Sequence, residues 1–157
     1  MDRKGKPEWT HKEHAIRTFG QQLRAALNDD FLDQATLIPV PPSRKMDDPN
    51  YDDRMLRVLR TMQASDQFDI REIVTMRINL DPVHLHDGPR SVENLVKAFQ
   101  MNLALENPYP VTIGIFDDVL TTGAHFVAMK RVLTKRFPNV PICGIFLARR
   151  APNSEVA

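Results

Sequence analysis

The sequence predicts an α/β fold: a parallel sheet of about four to five strands with helices on both faces. Two observations carry that expectation. Short runs of β-branched and apolar residues alternate along the chain with segments whose apolar positions recur at helical spacing. The intervening segments are long enough to be crossovers, and β–α–β alternation of this kind closes into a parallel sheet covered on both sides. At 157 residues and 18.0 kDa, one domain spanning 1–157 is the expected content.

Residues 1–9 are polar and basic and are expected to be a frayed tail, as is 150–157. Thr10-His-Lys-Glu13 has capping-box spacing, and Ile16, Phe19, Leu23 and Leu27 then share one helical face, so a first helix is expected from Thr10 to about Asn28–Asp30. Trp9, just before it, reads as a staple against the core. Ala35-Thr-Leu-Ile-Pro-Val-Pro-Pro-Ser43 reads as a short buried strand ended by prolines. Arg44 and Lys45 follow at the strand end, where ligands of open α/β sheets sit, and two cations there suit a pyrophosphate.

The polar turn 46–54 carries Asp47, Asp48, Asp52 and Asp53, and then Met55, Leu56, Val58, Leu59 and Met62 give a helical face. Asp52 and Asp53 are read as first-turn acids that favour the helix dipole; Tyr51 and Arg54 are candidates to face a substrate. Asp69–Met76 reads as one strand. The stretch 77–90, with Pro82, Gly88 and Pro89, reads as a long irregular loop of the kind that often covers a site. His84, His86 and Asp87 within it are read as solvated loop residues rather than a metal site. Ser91 is the expected N-cap of a helix burying Val92, Leu95, Val96, Phe99 and Leu103.

The remaining chain is organised around Val111-Thr-Ile-Gly-Ile-Phe-Asp-Asp-Val-Leu-Thr-Thr-Gly-Ala-His-Phe126. An apolar strand leads to Asp117 and Asp118, then to a Thr121-Thr122-Gly123 turn and a helix running to about Phe137. Glycine allows close backbone approach, and the first amides of a helix have no carbonyl partner within it, so the turn suits a phosphate. The two carboxylates can accept hydrogen bonds from sugar hydroxyls or help to hold Mg²⁺. Val140–Ala148 reads as the last strand, with Cys143 as a small core residue.

Ile113-Gly-Ile-Phe-Asp-Asp-Val-Leu-Thr-Thr-Gly-Ala124 resembles the 5-phosphoribosyl-1-pyrophosphate (PRPP) motif of type I phosphoribosyltransferases. Pro39-Val-Pro-Pro-Ser-Arg-Lys45 resembles the pyrophosphate loop of ComF-like members. Arg90, Asn94, Leu95, Ala98 and Phe99 resemble a segment that precedes the motif there, with one extra residue between the Arg and the Asn. The resemblance implies a type I phosphoribosyltransferase-like fold and Mg²⁺-dependent transfer of ribose 5-phosphate from PRPP to a nitrogen acceptor, releasing pyrophosphate. It makes Asp117 and Asp118 the catalytic pair, on the ribose hydroxyls, with metal contact only through PRPP-bound Mg²⁺. Thr121, Thr122, Gly123, Ala124 and His125 would wrap the 5′-phosphate, and Ser43, Arg44 and Lys45 the pyrophosphate. Arg77, His84, His86 and Arg90 would act from the flexible loop. The chain departs from the family pattern at His125, where the family has Thr or Ser.

The opposing expectation is a catalytically silent ComF-like protein that binds PRPP or a nucleotide and serves as a regulatory or accessory factor in DNA uptake, DNA processing or defence. A nucleic acid or protein partner belongs to that alternative. A single cysteine excludes the ComF zinc module and an internal disulfide. No segment that would form a hood over an acceptor base is evident, and a homodimer would let a neighbour's loop complete each site. The net charge of +1 gives no whole-protein argument for nucleic acid, and no apolar run reaches the roughly 20 residues a membrane helix needs. A cytoplasmic protein is expected.

Overall fold

The computed structural model describes residues 7–63, 67–80 and 91–150, with 7–10 as backbone only. The chain runs α1 (Pro7–Ala26), α2 (Asp29–Leu32), β1 (Ala35–Pro39), α3 (Arg54–Arg60), β2 (Asp69–Ile70), β3 (Val74–Met76), α4 (Val92–Ala98), β4 (Phe99–Met101), β5 (Thr112–Leu120), α5 (Ala124–Arg136) and β6 (Ile142–Arg149). Four strands form one parallel sheet in the order β2-β1-β5-β6, flanked by helices, an α/β architecture compatible with the type I phosphoribosyltransferase-like fold. β3 and β4 form a separate antiparallel pair.

Alternation along the central strands sends successive side chains to opposite faces. Ile113 and Ile115 of β5 join Ile38, then Leu95 and Ala98 of α4 and Ala128, Met129 and Leu133 of α5. Phe116 joins Leu37, Ile16 and Leu23 of α1, and Val58 and Leu59 of α3. Both central strands are thus covered on both faces, which is why ATLIP is buried at every position. Gly114 lets β5 pass close to its neighbours: an added Cβ would lie 2.9 Å from Ile145 Cδ1, 3.0 Å from Leu37 Cδ2 and 3.2 Å from Phe31 Cζ, so these side-chain ends would have to shift.

Several expectations are corrected. α1 begins at Pro7, before the Thr10–Glu13 box, and proline suits a first helical turn because it has no N–H to leave unpaired. Its buried face uses Ile16, Gly20 and Leu23, while Phe19 is exposed. The single strand expected over 69–76 is two: β2 pairs with β1, and β3 leaves to pair with β4. The switch lies at Arg71, only 7% exposed, whose Nε and Nη2 donate to the two Asp69 carboxylate oxygens at 2.7 and 2.6 Å and whose Nη1 donates to the Leu105 carbonyl at 3.0 Å. Thr36 Oγ1 donates to the same carboxylate at 2.7 Å, fixing the β1–β2 edge.

The helix after Ser91 stops at Ala98. Phe99–Met101 is strand β4, its ladder with β3 replacing helical hydrogen bonds, and Leu103 is exposed. Ser91 is the N-cap as expected, accepting from the Asn94 amide. Arg150, expected to belong to a tail, is held: its amide donates to the Leu120 carbonyl at 3.0 Å; residues 7–9, likewise expected to fray, belong to α1. Cys143 is exposed on edge strand β6, not a core residue. The Trp9 side chain and residues 1–6 and 151–157 lie outside the described residues. Among the described residues no helix is long and apolar enough to cross a membrane.

Candidate functional site

Parallel strands end at the same side, so the segments that follow β1 and β5 meet at one rim of the sheet. There, a cleft of about 440 Å³ is lined by Val40–Arg44 from the β1 side and by Asp117, Asp118, Val119, Thr121 and His125 from the β5 side. Its third wall comes from the turn into α3: Asn50, Asp52, Arg54 and Met55.

The acidic pair lies inside β5, not after it. Pairing with β6 continues through Asp117↔Phe146 to Leu120↔Arg149, which keeps the backbone extended past the carboxylates. Both acids are half-buried. The Asp118 amide donates to Asp117 Oδ1 at 2.9 Å, and the Val119 amide to Asp118 Oδ1 at 2.7 Å. One oxygen of each carboxylate is therefore held by backbone, which fixes the orientation of the other. The turn that follows depends on Gly123, whose φ of +77° places it in the left-handed region that L side chains rarely adopt. From there the chain enters α5, with the Ala124 amide 3.4 Å from Thr122 Oγ1 and the Val127 amide on the Gly123 carbonyl. His125, half-buried in the first turn, faces the cleft together with Thr121.

On the opposite wall, Pro41 and Pro42 end the β1 ladder because they have no N–H, after the Val40 amide has donated to the Phe116 carbonyl. The loop they open is pinned from outside. The Leu80 amide donates to the Ser43 carbonyl at 2.8 Å, and the Lys45 amide donates to Asn79 Oδ1 at 2.8 Å. Asn79 Nδ2 then donates to Asp48 at 2.7 Å. The Asn50 amide also donates to Asp48, and this bond, with that from Asn79, holds its carboxyl below the usual range. Ser43 and Arg44 line the cleft; Lys45 does not, and its Nζ pairs with Asp47 at 3.0 Å.

The other sequence-predicted positions divide as follows. Arg77 is directed away, donating to the Lys97 carbonyl at 2.6 Å. His84, His86 and Arg90 lie outside the described residues. Tyr51 turns from the cleft to donate to Glu72 at 2.7 Å, and burial, with that carboxylate beside it, pushes its phenol up. Asp52 and Asp53 are not first-turn acids: α3 begins at Arg54, Asp53 is its N-cap without a side-chain capping bond, and Asp52 accepts from Lys12 Nζ at 3.0 Å and pairs with Arg54 Nε at 2.9 Å. Asn50, Asp52 and Met55 were missed as cleft residues. The signal available was position, since they follow a proline-terminated strand whose end faces the ligand side.

Among the described residues no group of three or more His, Cys, Asp or Glu side chains is placed to hold a metal alone. Asp117 and Asp118 fit the other mode of Mg²⁺ binding, in which one or two carboxylates act with oxygens of a phosphorylated substrate. The chain matches no family model and no curated protein.

Proposed function

We propose that the protein is a PRPP-dependent phosphoribosyltransferase. The observation that carries the reading is one cleft joining the carboxylates Asp117 and Asp118, Thr121 and His125 from the two ends of the turn into α5, and Ser43 with Arg44 across from them. An anchor for a sugar diol, an anion-binding turn and a cation are what PRPP presents partners for.

In the proposed reaction an acceptor nitrogen forms a bond to the ribose anomeric carbon as the bond to the pyrophosphate oxygen breaks. Pyrophosphate leaves with the electron pair, and where the acceptor nitrogen carries a proton, that proton passes to solvent. The transition state has oxocarbenium character, so no protein nucleophile is needed, and the chain's work is positioning and charge stabilisation. Asp117 and Asp118 hold the ribose hydroxyls and keep the anomeric carbon in line. The 121–125 turn anchors the 5′-phosphate, His125 adding an imidazole where the resembling family has a hydroxyl. Arg44, with Ser43, receives the leaving pyrophosphate. Mg²⁺ brought with PRPP supplies neutralisation of the charge that develops on the diphosphate.

Calorimetric titration of PRPP with Mg²⁺ tests the reading. Wild type is expected to bind, and an Asp117→Asn/Asp118→Asn protein to lose about 10- to 100-fold in affinity, as two charge-assisted hydrogen bonds become neutral ones. No binding by wild type would overturn it. Binding without pyrophosphate release across a panel of nitrogenous bases would favour the accessory role.

A further inference from the structure

The donor contacts proposed above leave the third wall of the cleft unassigned. Its chemistry centres on Asp52, which commits both carboxylate oxygens within the protein. Oδ1 accepts from Lys12 Nζ at 3.0 Å and from the Arg54 amide at 3.2 Å, and Oδ2 pairs with Arg54 Nε at 2.9 Å. A carboxylate engaged on both sides is a support rather than a ligand contact. What it supports is Arg54, whose side chain is half exposed and lines the cleft. Because Asp52 takes Nε, the two Nη groups remain as a planar fork, the edge of a guanidinium that matches a carboxylate bidentately.

The support is itself fixed at a distance. Lys12 lies on α1, and a second ion pair, Arg57 with Glu13, ties the same helix to α3 one turn further on. Arg54 and Asp52 line the cleft on the α3 side, and Asp117 and Asp118 line it on the β5 side. Half-buried Met55 lines the cleft too, an apolar side chain of the sort that packs on a ring.

We propose that this wall is the acceptor subsite, and that the acceptor is a ring-bearing nitrogen compound carrying a carboxylate, read by the Arg54 fork. The proposal rests on the phosphoribosyltransferase reading and names its second substrate class. The carboxylate is a handle and is not consumed; it holds the acceptor nitrogen toward the anomeric carbon. Asp52 is a positioning residue that acts through Arg54.

The test uses matched acid and neutral ligands: nicotinate with nicotinamide, orotate with uracil, anthranilate with aniline. Each is titrated calorimetrically into the full chain in the presence of Mg²⁺ and ribose 5-phosphate, using wild type, Arg54→Gln, Arg54→Lys and Asp52→Asn. In at least one pair the acid is expected to bind wild type about tenfold or more tightly than its neutral partner, the scale of one charge-assisted bidentate contact. Arg54→Gln should bring that ratio to about one, and Arg54→Lys, a point charge without the fork, should keep only part of it. Asp52→Asn should lower the ratio while leaving the guanidinium in place. Equal binding of acid and neutral members in every pair, binding of neither, or a preference that survives Arg54→Gln would overturn the proposal. A separate titration of PRPP with Mg²⁺ into wild type and Arg54→Gln distinguishes donor from acceptor. Loss of PRPP affinity with an unchanged acid-to-neutral ratio would assign Arg54 to the pyrophosphate and overturn the proposal. Failure of wild type to bind PRPP is read in that same separate titration, and would remove the transferase reading itself.

Discussion

Replacing Gly20 by alanine sets two opposing effects against each other, and the contacts decide the sign. Gly20 sits in the interior of α1, where alanine is intrinsically favoured by about 1 kcal/mol. Yet α1 crosses α3 so closely here that an added Cβ would lie 2.0 Å from Thr61 Oγ1, 2.9 Å from Thr61 Cβ and 2.9 Å from the Val58 carbonyl oxygen. The first contact can be relieved by turning a hydroxyl, at the expense of its 2.8 Å bond to Val58. The other two involve a backbone oxygen and a branched carbon that cannot swing aside, so the helices must separate. Overpacking of this kind costs about 1–3 kcal/mol and sometimes more. Two unyielding contacts put the cost in the upper part of that range, and after the gain of about 1 kcal/mol the net expectation is a loss of about 1–2 kcal/mol, or a melting point lower by about 2–8 °C for a chain of this size. Thermal melts followed by far-UV circular dichroism, with urea titration at 25 °C, measure it. Thr61→Ala in the Gly20→Ala background should restore about half of the loss, because it removes the nearest atom and leaves the other two. A Gly20→Ala protein that melts at or above wild type would refute the close-crossing argument, and so would strict additivity of the two substitutions. Since α1 carries Lys12, the same displacement should also loosen the support of Arg54.

Three further outcomes follow from the geometry. Arg71→Met should cost about 3 kcal/mol in urea unfolding, the low end for breaking a buried pair because Asp69 keeps solvent contact. Gly123→Ala should cost about 1 kcal/mol in stability through left-handed strain, with a larger proportional loss of PRPP affinity in calorimetry; Gly123→Asn, which tolerates that conformation, should recover most of the stability. The hydrogen bond from Arg57 holds the Glu13 carboxyl low, and the bonds from its own amide and from Arg131 do the same for Glu93. A carboxyl whose folded pKa is depressed contributes stability that is complete above its unfolded value of 4.5 and is lost as pH falls through the folded one. Urea midpoints of wild type should therefore fall with pH below 4.5, and a Glu13→Gln/Glu93→Gln protein should show a shallower fall; parallel curves would exclude these pairs as contributors.

The main parallel sheet was readable because its strands are short apolar runs bounded by breakers, and β1, β5, β6, α3 and α5 lie close to where periodicity puts them. The small β3–β4 pair was not. Leu95, Phe99 and Leu103 recur at four-residue spacing, which fits a continuing helix, and no glycine or proline marks the change at Ala98. Only the pairing with Val74–Met76, distant in sequence, decides it. Likewise Asp69–Met76 is uniformly strand-like, and the break comes from Arg71 turning inward to Asp69 and the Leu105 carbonyl. At the site, the strand-to-turn motif from Asp117 to His125 was legible as a contiguous string. The Asn50–Met55 wall was not, because its meaning lies in Lys12 on a separate helix reaching Asp52.

The register of the sheet also sets the order of events during synthesis. Ala35 pairs with Thr112 and Pro39 with Phe116, so the innermost strand is made long before its principal neighbour exists. At about 5–20 residues per second, roughly 4–15 seconds separate the two on the ribosome. Throughout that interval, among the described strands, this apolar pentapeptide has only the two-residue β2 to pair with, and then only once that has emerged. Nascent chains of this protein should therefore be clients for holding factors. Substitutions that delay the arrival of β5 should then show first as lower yield, with the molecules that do mature keeping their full specific activity.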